Sequence, residues 1–393
     1  MIACLTIPGL ELKAALRRTP TLALRPAALA PNPQGEPLIG SVTAAAEAAG
    51  VQPGMRLGEA LATCPELVLV EPDAAGAELA WDEIVHALED AGFSVDPASL
   101  GVAYFETRGV ERLYGGLEPA LRRALAAVGM EWDARIGAAG RRFAALAAAS
   151  VARPGQTVVV ADEELPQFLA PLPLTLLPLE RGRYEELEAL GVRKLGQLAG
   201  LPGGAVAERL GPDGRRAWGL ARGGTAARVR GRRPPAAVAA SLEFPEALGN
   251  ELTLRRALAG LVETALARPE RRDRFVRKVA LSARLESGGS WRRTLTLREP
   301  SGDADRIRVA LSPRLAELPA PIVELRLELV ELTEPTGHQL ELLAAGAEDR
   351  ARLRDGLRQV RASTGSGSVC TVVEVAPWSR VPESRALLVP KDE

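Results

Sequence analysis

The sequence predicts an α+β protein built from several domains, and three observations indicate this. Short apolar runs alternate with helical patterns over residues 1–155, as in a mixed sheet with helices packed on it. Beyond residue 172 the pattern becomes helical with short turns. A Pro- and Arg-rich stretch at 226–238 then precedes a second region in which strands and helices mix. With 393 residues, the chain is long enough for roughly two to four domains.

The first region begins with the apolar run MIACLTI, a predicted buried strand that ends at Pro8-Gly9. Turn residues and apolar periodicity divide the following residues into further elements. The predicted strands cover 38–41, 67–70, two short segments within 93–105, and 135–139. The predicted helices cover 10–18, 42–49, 74–91, 117–128 and 141–152.

Residues 187–198, LEALGVRKLGQL, have the Leu-x-x-Leu-Gly-Val form of a helix-hairpin-helix element. Such a hairpin presents backbone N–H groups at a helix N-terminus, and these bind a phosphate whatever the base sequence. The turn contains Gly191, and Arg193 and Lys194 lie beside it. We therefore predict a DNA contact at these three residues. The alternative is an ordinary corner between two helices.

Residues 239–332 have the pattern of a compact βαββαβ unit. The predicted elements are a strand at 239–244, a helix at 252–267, a hairpin of strands at 275–286 and 291–298, a helix at 303–318 and a strand at 322–332. Alternation along the hairpin turns one set of side chains inward: Val279, Leu281, Ala283, Leu285, Leu295 and Leu297. The outward set is basic and hydroxylated: Lys278, Ser282, Arg284, Arg292, Thr294, Thr296 and Arg298. We predict that this outer face contacts DNA phosphates through its charge; the alternative is a solvated sheet face.

Charged residues are segregated along the chain, although the formal net charge is only −1. Acidic side chains dominate residues 66–131, whereas arginines cluster at 209–233 and 268–298. The extended linker at 226–238 carries Arg230, Arg232 and Arg233. We predict nucleic-acid contacts for these basic segments. The alternative is a general bias towards arginine in the composition.

Composition also excludes several classes of protein. No apolar stretch reaches the roughly 18 residues needed to cross a bilayer, and the first residues lack a signal-peptide pattern, so we expect a cytoplasmic protein without membrane contacts. Cys4, Cys64 and Cys370 are far apart, which indicates neither a disulfide framework nor a zinc site. The two histidines, His86 and His338, are too scattered for a metal cluster or a catalytic triad. We expect no cofactor and no bound metal.

Residues 99–106, SLGVAYFE, carry the most informative motif. It resembles the Ser-Leu/Ile-Asp-Glu-Ala-Tyr-Leu-Asp motif of Y-family translesion DNA polymerases, whose adjacent Asp and Glu lie at the catalytic centre. Gly101 and Val102 occupy those two positions in this chain. Phosphoryl transfer by two metal ions needs carboxylates to hold both ions, and neither residue supplies one.

Two more segments share this resemblance. Residues 50–67 contain Gly-Val-x-x-Gly-Met-x-x-x-Glu-Ala followed by Cys-Pro-Glu-Leu, which is similar to the fingers-to-palm passage of these polymerases. Residues 136–154 are similar to the palm pattern Gly-Ile-Ala…Ala-Lys-x-Ala-Ser…Lys-Pro. The match extends over nearly the whole chain. It is strongest with the ImuB-like subgroup, bacterial homologues regarded as non-catalytic members of a mutagenic translesion complex.

The resemblance implies a polymerase-like right hand followed by a tail. The implied parts are a palm (1–10 and 66–160), fingers (11–65), a helical thumb with the helix-hairpin-helix (161–225), a basic linker (226–238), a βαββαβ little finger that binds DNA (239–334) and a tail for the clamp and partners (335–393).

The chain departs from active members of the family at other positions too. The amino-terminal Asp-x-Asp-x-Phe-Phe/Tyr pattern aligns with residues 6–11, so that Thr6 replaces the first metal-binding Asp. The Ser-Tyr-x-Ala-Arg that holds the incoming triphosphate aligns with residues 43–47, where Glu47 would repel the phosphates. Arg153 stands where a phosphate-binding Lys is usual. We therefore predict no catalytic residues.

The segment at 339–343 resembles the Gln-Leu-x-Leu-Phe/Leu peptide by which bacterial polymerases dock in the sliding clamp. It consists of Gln339, Leu340, Glu341, Leu342 and Leu343. Its leucines are predicted to enter a hydrophobic groove of the clamp; the alternative is the start of a charged helix at 349–360. The tail at 372–390 also resembles the end of ImuB-like proteins, where contacts with an error-prone C-family polymerase and a RecA-like accessory protein are implied.

The sequence thus predicts a non-catalytic, nucleoid-associated adaptor for error-prone translesion synthesis in the SOS response to DNA damage. It would bridge the sliding clamp, primer-template DNA and a separate mutagenic polymerase. Two alternatives stay open at this point. One is an active lesion-bypass polymerase that uses the remaining carboxylates Glu11, Asp96 and Glu106. The other is a DNA-binding module unrelated to synthesis.

Overall fold

The computed structural model describes residues 1–17, 19–32, 35–224, 229, 231, 238–334, 370–374 and 386–390. The chain forms two units, Met1–Glu334 and Pro335–Glu393. The first unit contains both mixed regions and the helical region, so the predicted α+β class is confirmed. No helix within the described ranges is long and apolar enough to cross a membrane.

Residues 1–160 form a five-stranded sheet, a two-stranded sheet and the helices around them. The strands are β1 (Ile2–Thr6), β2 (Ala27–Leu29), β3 (Val68–Val70), β4 (Val95–Ser99), β5 (Val102–Glu106), β6 (Arg135–Ala139) and β7 (Thr157–Val159). The helices are α1 (Leu10–Leu16), α2 (Ala44–Ala48), α3 (Leu57–Thr63), α4 (Ala74–Asp90), α5 (Val110–Tyr114), α6 (Leu117–Val128) and α7 (Arg142–Val151). The five helices predicted in this region are confirmed within a few residues.

The large sheet has the strand order β4-β5-β1-β6-β7. β1 lies antiparallel between β5 and β6, and β7 pairs parallel with β6 at the edge. Helices α4 and α6 bury one face, where Leu5 and Phe105 lie, and α7 covers Cys4 on the other face. α7 packs so closely on β6 that a Cβ atom on Gly137 would lie 2.1 Å from the backbone N of Ala149, so only glycine fits there.

The strand predicted at 38–41 is wrong. Leu38 forms only an isolated bridge with Arg56, and the strand of this part of the chain is β2, which pairs parallel with β3. Ala27, Ala28 and Leu29 of β2 are almost fully buried. Alanine has a low strand propensity, so this segment has the pattern of a loop; its burial against neighbouring elements determines its conformation.

Residues 161–224 are helical, as predicted. The helices are α8 (Leu165–Leu169), α9 (Arg181–Ala189), α10 (Leu195–Ala199) and α11 (Gly203–Ala221). Gly191 in the turn between α9 and α10 has a φ of +79°, which favours glycine. α11 is kinked at Gly211, which precedes Pro212 and has non-helical backbone angles. These helices share one apolar core with α7.

Residues 238–334 form the predicted βαββαβ unit. Its elements are β8 (Val238–Leu248), α12 (Glu251–Ala267), β9 (Phe275–Leu285), β10 (Ser290–Ser301), α13 (Ala304–Leu315) and β11 (Ile322–Thr333). The strand order is β10-β9-β11-β8, and all neighbours are antiparallel. α12 and α13 pack on one face of this sheet, where Leu258, Leu281 and Leu327 are buried. We call the opposite face of the β8–β11 sheet the outer face.

The second unit contains β12 (Cys370–Glu374) and β13 (Ala386–Pro390), which pair antiparallel. The predicted clamp segment at 339–343 and the helix predicted at 349–360 lie outside the described residues. Both stay predictions from the sequence.

Candidate functional site

Thr6, Gly101 and Val102 align with the metal-binding carboxylates of the polymerase motifs, and we call them the degenerate positions. The end of β1 and the turn between β4 and β5 bring them together. Thr6 lies directly opposite Val102 in the β1–β5 ladder. The backbone N–H of Ile7 donates to the carbonyl oxygen of Gly101 at 2.8 Å. The residues that the motifs align with polymerase metal ligands therefore converge at one point of the sheet.

The side chains at this point do not fit the divalent ions that the motif implies. Thr6 is only 8% exposed, and its Oγ1 has no hydrogen-bond partner among the described residues. Val102 is apolar and Gly101 has no side chain. Within the described ranges, no group of three or more His, Cys, Asp or Glu side chains is placed to hold a metal ion. Mg²⁺ binds through carboxylates and other hard oxygen ligands, and this point of the sheet presents a single buried hydroxyl.

The remaining carboxylates lie elsewhere. Glu106 is opposite Ile2, four residues from Thr6 along β1 and hence about 13 Å away. The carboxylate of Asp96 accepts a hydrogen bond from the guanidinium of Arg142 at 2.6 Å. Glu11 is exposed on α1. These positions do not form the carboxylate cluster that an unfamiliar metal geometry would need.

The glycine at position 101 is also adapted to its turn. Its φ is +75°, and a Cβ atom there would lie 2.8 Å from the carbonyl oxygen of Ile7. An aspartate at this position would be strained both in its backbone angles and by contact with a carbonyl. The turn is therefore not one simple substitution away from a polymerase metal site.

A row of polar side chains lies beside the degenerate positions. Cys4, Tyr104 and Asp96 are neighbours across β1, β5 and β4. The guanidinium of Arg142 lies 3.9 Å from the centroid of the Tyr104 ring and pairs with Asp96. Burial raises the pKa of Cys4 to about 12 and also raises the pKa of Tyr104 above its usual range. Both groups are held neutral at physiological pH, so Cys4 is not an activated nucleophile.

We expect ionisation of Cys4 to destabilise the chain above pH 9. The folded protein keeps the pKa of this thiol near 12, whereas the unfolded chain ionises near the ordinary value of 9.0. The neutral thiol therefore contributes fully to the free energy of unfolding below pH 9. As the pH rises, the free energy of unfolding falls, by about 2 kcal/mol at about pH 10.5. Urea unfolding of the native chain and Cys4→Ala at several pH values measures this difference. The variant should show the smaller pH dependence; equal dependence would contradict the assignment to Cys4.

Residues 43–47, which align with the triphosphate-binding motif of the polymerases, begin with a residue that has a structural role. The hydroxyl of Thr43 caps α2, because it accepts from the N–H groups of Ala27 and Ala46 and donates to the carbonyl of Arg25. Glu47, at the position of the triphosphate-binding arginine, is exposed on α2. A negative charge at this position disfavours a triphosphate.

The helix-hairpin-helix differs from its prediction in one respect. The backbone N–H groups of Arg193 and Lys194 both donate to the Oε1 of Gln197, at 2.8 and 3.0 Å. A side chain of the same hairpin therefore already satisfies these two amides, and the DNA contact at Gly191, Arg193 and Lys194 stays a prediction. Gly191 and the side chains of Arg193 and Lys194 are exposed.

The strand register confirms which residues share the outer face from Ser290 to Thr296 of β10; it shifts between Thr296 and Ser301, where Arg298 lies. Thr296, Thr294 and Arg292 of β10 lie opposite Lys278, Ala280 and Ser282 of β9, and Ser290 lies opposite Arg284. The face is not uniformly basic, however, because β8 and β11 contribute side chains to it as well. Those strands add the carboxylates Glu243, Glu324, Glu328 and Glu331 and one further cation, Arg326. The alternation Glu-x-Arg-x-Glu at 324–328 is the sequence signal that identifies them.

Solvent access differs among the predicted DNA-binding residues. Thr294 and Arg298 are exposed, and Lys278 is partly exposed. The guanidinium of Arg284 pairs with Glu324 at 3.1 Å and remains about half exposed. Arg292 lies on the predicted face, but helix α4 covers it and only 12% of its side chain is exposed. Its accessibility to DNA is thus much lower than the sequence predicted.

Within the basic linker at 226–238, the structure describes Val229, Gly231 and Val238, and Val238 is already the first residue of β8. Val229 packs against the core shared by α7 and the helical region. Gly231 approaches Ser94 so closely that a Cβ atom would lie 1.8 Å from the Ser94 hydroxyl. Arg230, Arg232 and Arg233 lie outside the described residues, and their DNA contacts stay a prediction.

Comparison with known families accounts for this organisation. The impB/mucB/samB family matches residues 11–150, and the C-terminal domain of the impB/mucB/samB family matches residues 235–342. The chain belongs to the impB/mucB/samB family. It is a Y-family polymerase-like protein, as the motifs at 50–67, 99–106 and 136–154 predicted.

Individual relatives span most of the chain. DNA polymerase IV of Dehalococcoides mccartyi (strain CBDB1) is 27% identical over 360 residues, which are 90% of this chain and 92% of the relative. DNA polymerase IV of Methanoculleus marisnigri is 27% identical over 328 residues, or 80% of this chain and 90% of the relative. The crystal structure of DinB from Sulfolobus solfataricus superposes with a TM-score of 0.51 at 16% identity, covering 85% of this chain and 100% of that one. The polymerase-like right-hand fold is confirmed.

Proposed function

We propose that this chain is a non-catalytic DNA-binding adaptor of an error-prone translesion synthesis complex. One observation carries the proposal: Thr6, Gly101 and Val102 converge where the Y-family motif places its metal-binding carboxylates, and none of them is a carboxylate. A protein that keeps the right-hand organisation without these ligands retains the surfaces for DNA and partners. It does not have the groups for two-metal phosphoryl transfer.

DNA binding in this proposal relies on charge and not on base identity. Among the predicted DNA-binding residues, the accessible cations are Lys278, Arg284 and Arg298 on the βαββαβ unit, with Arg193 and Lys194 on the helix-hairpin-helix. Such side chains contact phosphates and release counterions, which makes affinity salt-dependent and similar for different sequences. Exposed Thr294 adds a hydroxyl that donates to phosphate oxygen.

We expect the double variant Lys278→Ala/Arg298→Ala to bind primer-template DNA about three- to tenfold more weakly at low salt. Each cation that no longer neutralises a phosphate should reduce the slope of log K against log salt by about 0.9. The effect should be equal for DNA duplexes of unrelated sequence. Fluorescence anisotropy at four or five salt concentrations measures both quantities.

A matched control lies on the opposite side of the same unit. Arg255 and Arg256 are exposed on α12, which packs on the inner face of the sheet. Arg255→Ala/Arg256→Ala removes the same net charge and should leave the salt slope nearly unchanged. Equally weakened binding in both double variants would show that DNA responds to total charge and would reject the outer face as the interface.

The bridging role adds three protein partners to the proposal. Residues 339–343 are proposed to dock in the sliding clamp, and the tail is proposed to contact the error-prone C-family polymerase and the RecA-like accessory protein. Support comes from the motif in the sequence and from its position directly after the completed βαββαβ unit, which ends with β11.

The second candidate function is lesion bypass by the chain's own polymerase activity. One observation favours it: relatives that this chain matches over most of its length are named DNA polymerase IV. The substitutions at the three degenerate positions favour the adaptor instead. Primer extension separates the two candidates.

A further inference from the structure

We infer that helix α4 acts as an internal competitor of DNA, whose acidic side chains hold the outer face of the β8–β11 sheet in a closed arrangement. This inference rests on the proposed function, because it assumes that the outer face is the DNA-binding surface. DNA binding would then require the sheet to leave α4.

The contacts between the two elements are polar and direct. The guanidinium of Arg292 pairs with the carboxylate of Asp82 at 2.6 Å. The guanidinium of Arg326 lies 3.9 Å from the carboxylate of Glu83. Near the start of α4, the carboxylate of Asp73 accepts from the backbone N–H of Ser290 at 3.4 Å. The carboxylates of Asp73, Asp82 and Glu83 therefore lie against N–H groups at three positions of the β8–β11 sheet.

Arg292 is the centre of this contact. It also lies 3.8 Å from Glu328 on β11, so two carboxylates of different elements flank one guanidinium. Only 12% of the side chain is exposed, although it projects from an outer sheet face. Carboxylates flank both terminal nitrogens of this guanidinium, and with 12% of the side chain exposed little of it is open to a phosphate. The carboxylates of α4 thus take the place that DNA phosphates would take.

The surroundings of the contact between α4 and the outer face favour its reversible opening. Beside it, a cavity of about 800 Å³ opens between α1, α4 and the outer face. Charged side chains such as Arg17, Glu83, Arg284 and Glu324 line this cavity. The contacts named above between α4 and the sheet are ion pairs and a hydrogen bond, and salt and a competing polyanion weaken such contacts readily.

The first test neutralises the competitor in the full chain. Asp82→Asn/Glu83→Gln removes the two carboxylates that pair with arginines of the sheet without changing side-chain size. Glu78→Gln/Asp90→Asn is the matched control, since it removes two charges from exposed positions of the same helix. We expect the first variant to bind primer-template DNA about three- to tenfold more tightly than the control, as for the removal of two competing ion pairs. Equal affinities of the two variants would overturn the inference.

The second test closes the contact covalently. A Cβ atom on Gly76 would lie 3.1 Å from the hydroxyl of Ser290, close enough for a disulfide in Gly76→Cys/Ser290→Cys once the Asp73 carboxylate rotates away. The oxidised protein should bind DNA at least tenfold more weakly than the same sample after reduction with dithiothreitol. Equal binding in both states, with the disulfide verified by mass spectrometry, would also overturn the inference.

The outcomes separate this inference from the proposed function. If Lys278→Ala/Arg298→Ala weakens DNA binding while the α4 variants and the disulfide have no effect, the outer face binds DNA and only the competition is rejected. If Lys278→Ala/Arg298→Ala behaves like its control, the outer face is not the interface and the proposed function fails first.

Discussion

Primer extension by the purified chain is expected to stay at background with either Mg²⁺ or Mn²⁺. The two metal ions that such carboxylates hold stabilise the developing charge by several kcal/mol, and about 4 kcal/mol corresponds to roughly a thousandfold in rate. Thr6, Gly101 and Val102 lie together and supply none of this stabilisation. Single-nucleotide incorporation on a primer-template measures the rate, with DNA polymerase IV of Dehalococcoides mccartyi as the positive control.

Restoring the carboxylates should not restore the activity. Thr6→Asp/Gly101→Asp/Val102→Glu places an aspartate where φ is +75° and a Cβ atom meets the carbonyl of Ile7 at 2.8 Å. Glu47 would still repel a triphosphate. The triple variant is expected to stay at background and to unfold at a lower urea concentration. Template-dependent incorporation that follows the native chain through every purification step would reject the adaptor and support the polymerase.

Binding to a bacterial sliding clamp is expected to fall at least a hundredfold in Leu340→Ala/Leu342→Ala. Burial of each leucine is worth about 1.5 to 3 kcal/mol, so removal of both side chains costs at least about 3 kcal/mol. Three leucines within four residues of a largely polar segment are unfavourable in water unless a groove receives them. Surface plasmon resonance with immobilised clamp measures the affinity.

The control for this prediction lies within the same segment. Glu341 is the variable position of the Gln-Leu-x-Leu-Leu pattern, so Glu341→Ala should keep clamp affinity within about threefold of the native chain. DNA binding by both variants should be unchanged. Native clamp affinity in the double leucine variant would mean that recruitment uses another surface.

Much of the fold is predictable because local patterns and tertiary packing agree. Alternation at 278–296 assigns the faces of β9 and β10, and the register of Lys278 with Thr296 confirms that assignment. The sequence does not predict β2, because Ala27 and Ala28 have no strand preference of their own. Pairing with β3 and burial determine their conformation. The pattern of the hairpin does not show that Gln197 accepts from the amides of Arg193 and Lys194, and the DNA contact at this hairpin stays a prediction.

The sequence by itself determined which side chains occupy the positions that align with the polymerase metal ligands, because the identity of a side chain decides whether a carboxylate exists. Gly101 and Val102 have no side-chain group that coordinates a metal ion, whatever the fold. The tertiary structure alone decided which charges meet. Arg292 has the pattern of an open DNA contact along β10, but α4, more than 200 positions earlier in the chain, brings Asp82 to 2.6 Å from it. The charge of a side chain follows from its identity, but its exposure to solvent and to DNA depends on contacts between distant segments. The periodicity within one strand contains no information about those contacts.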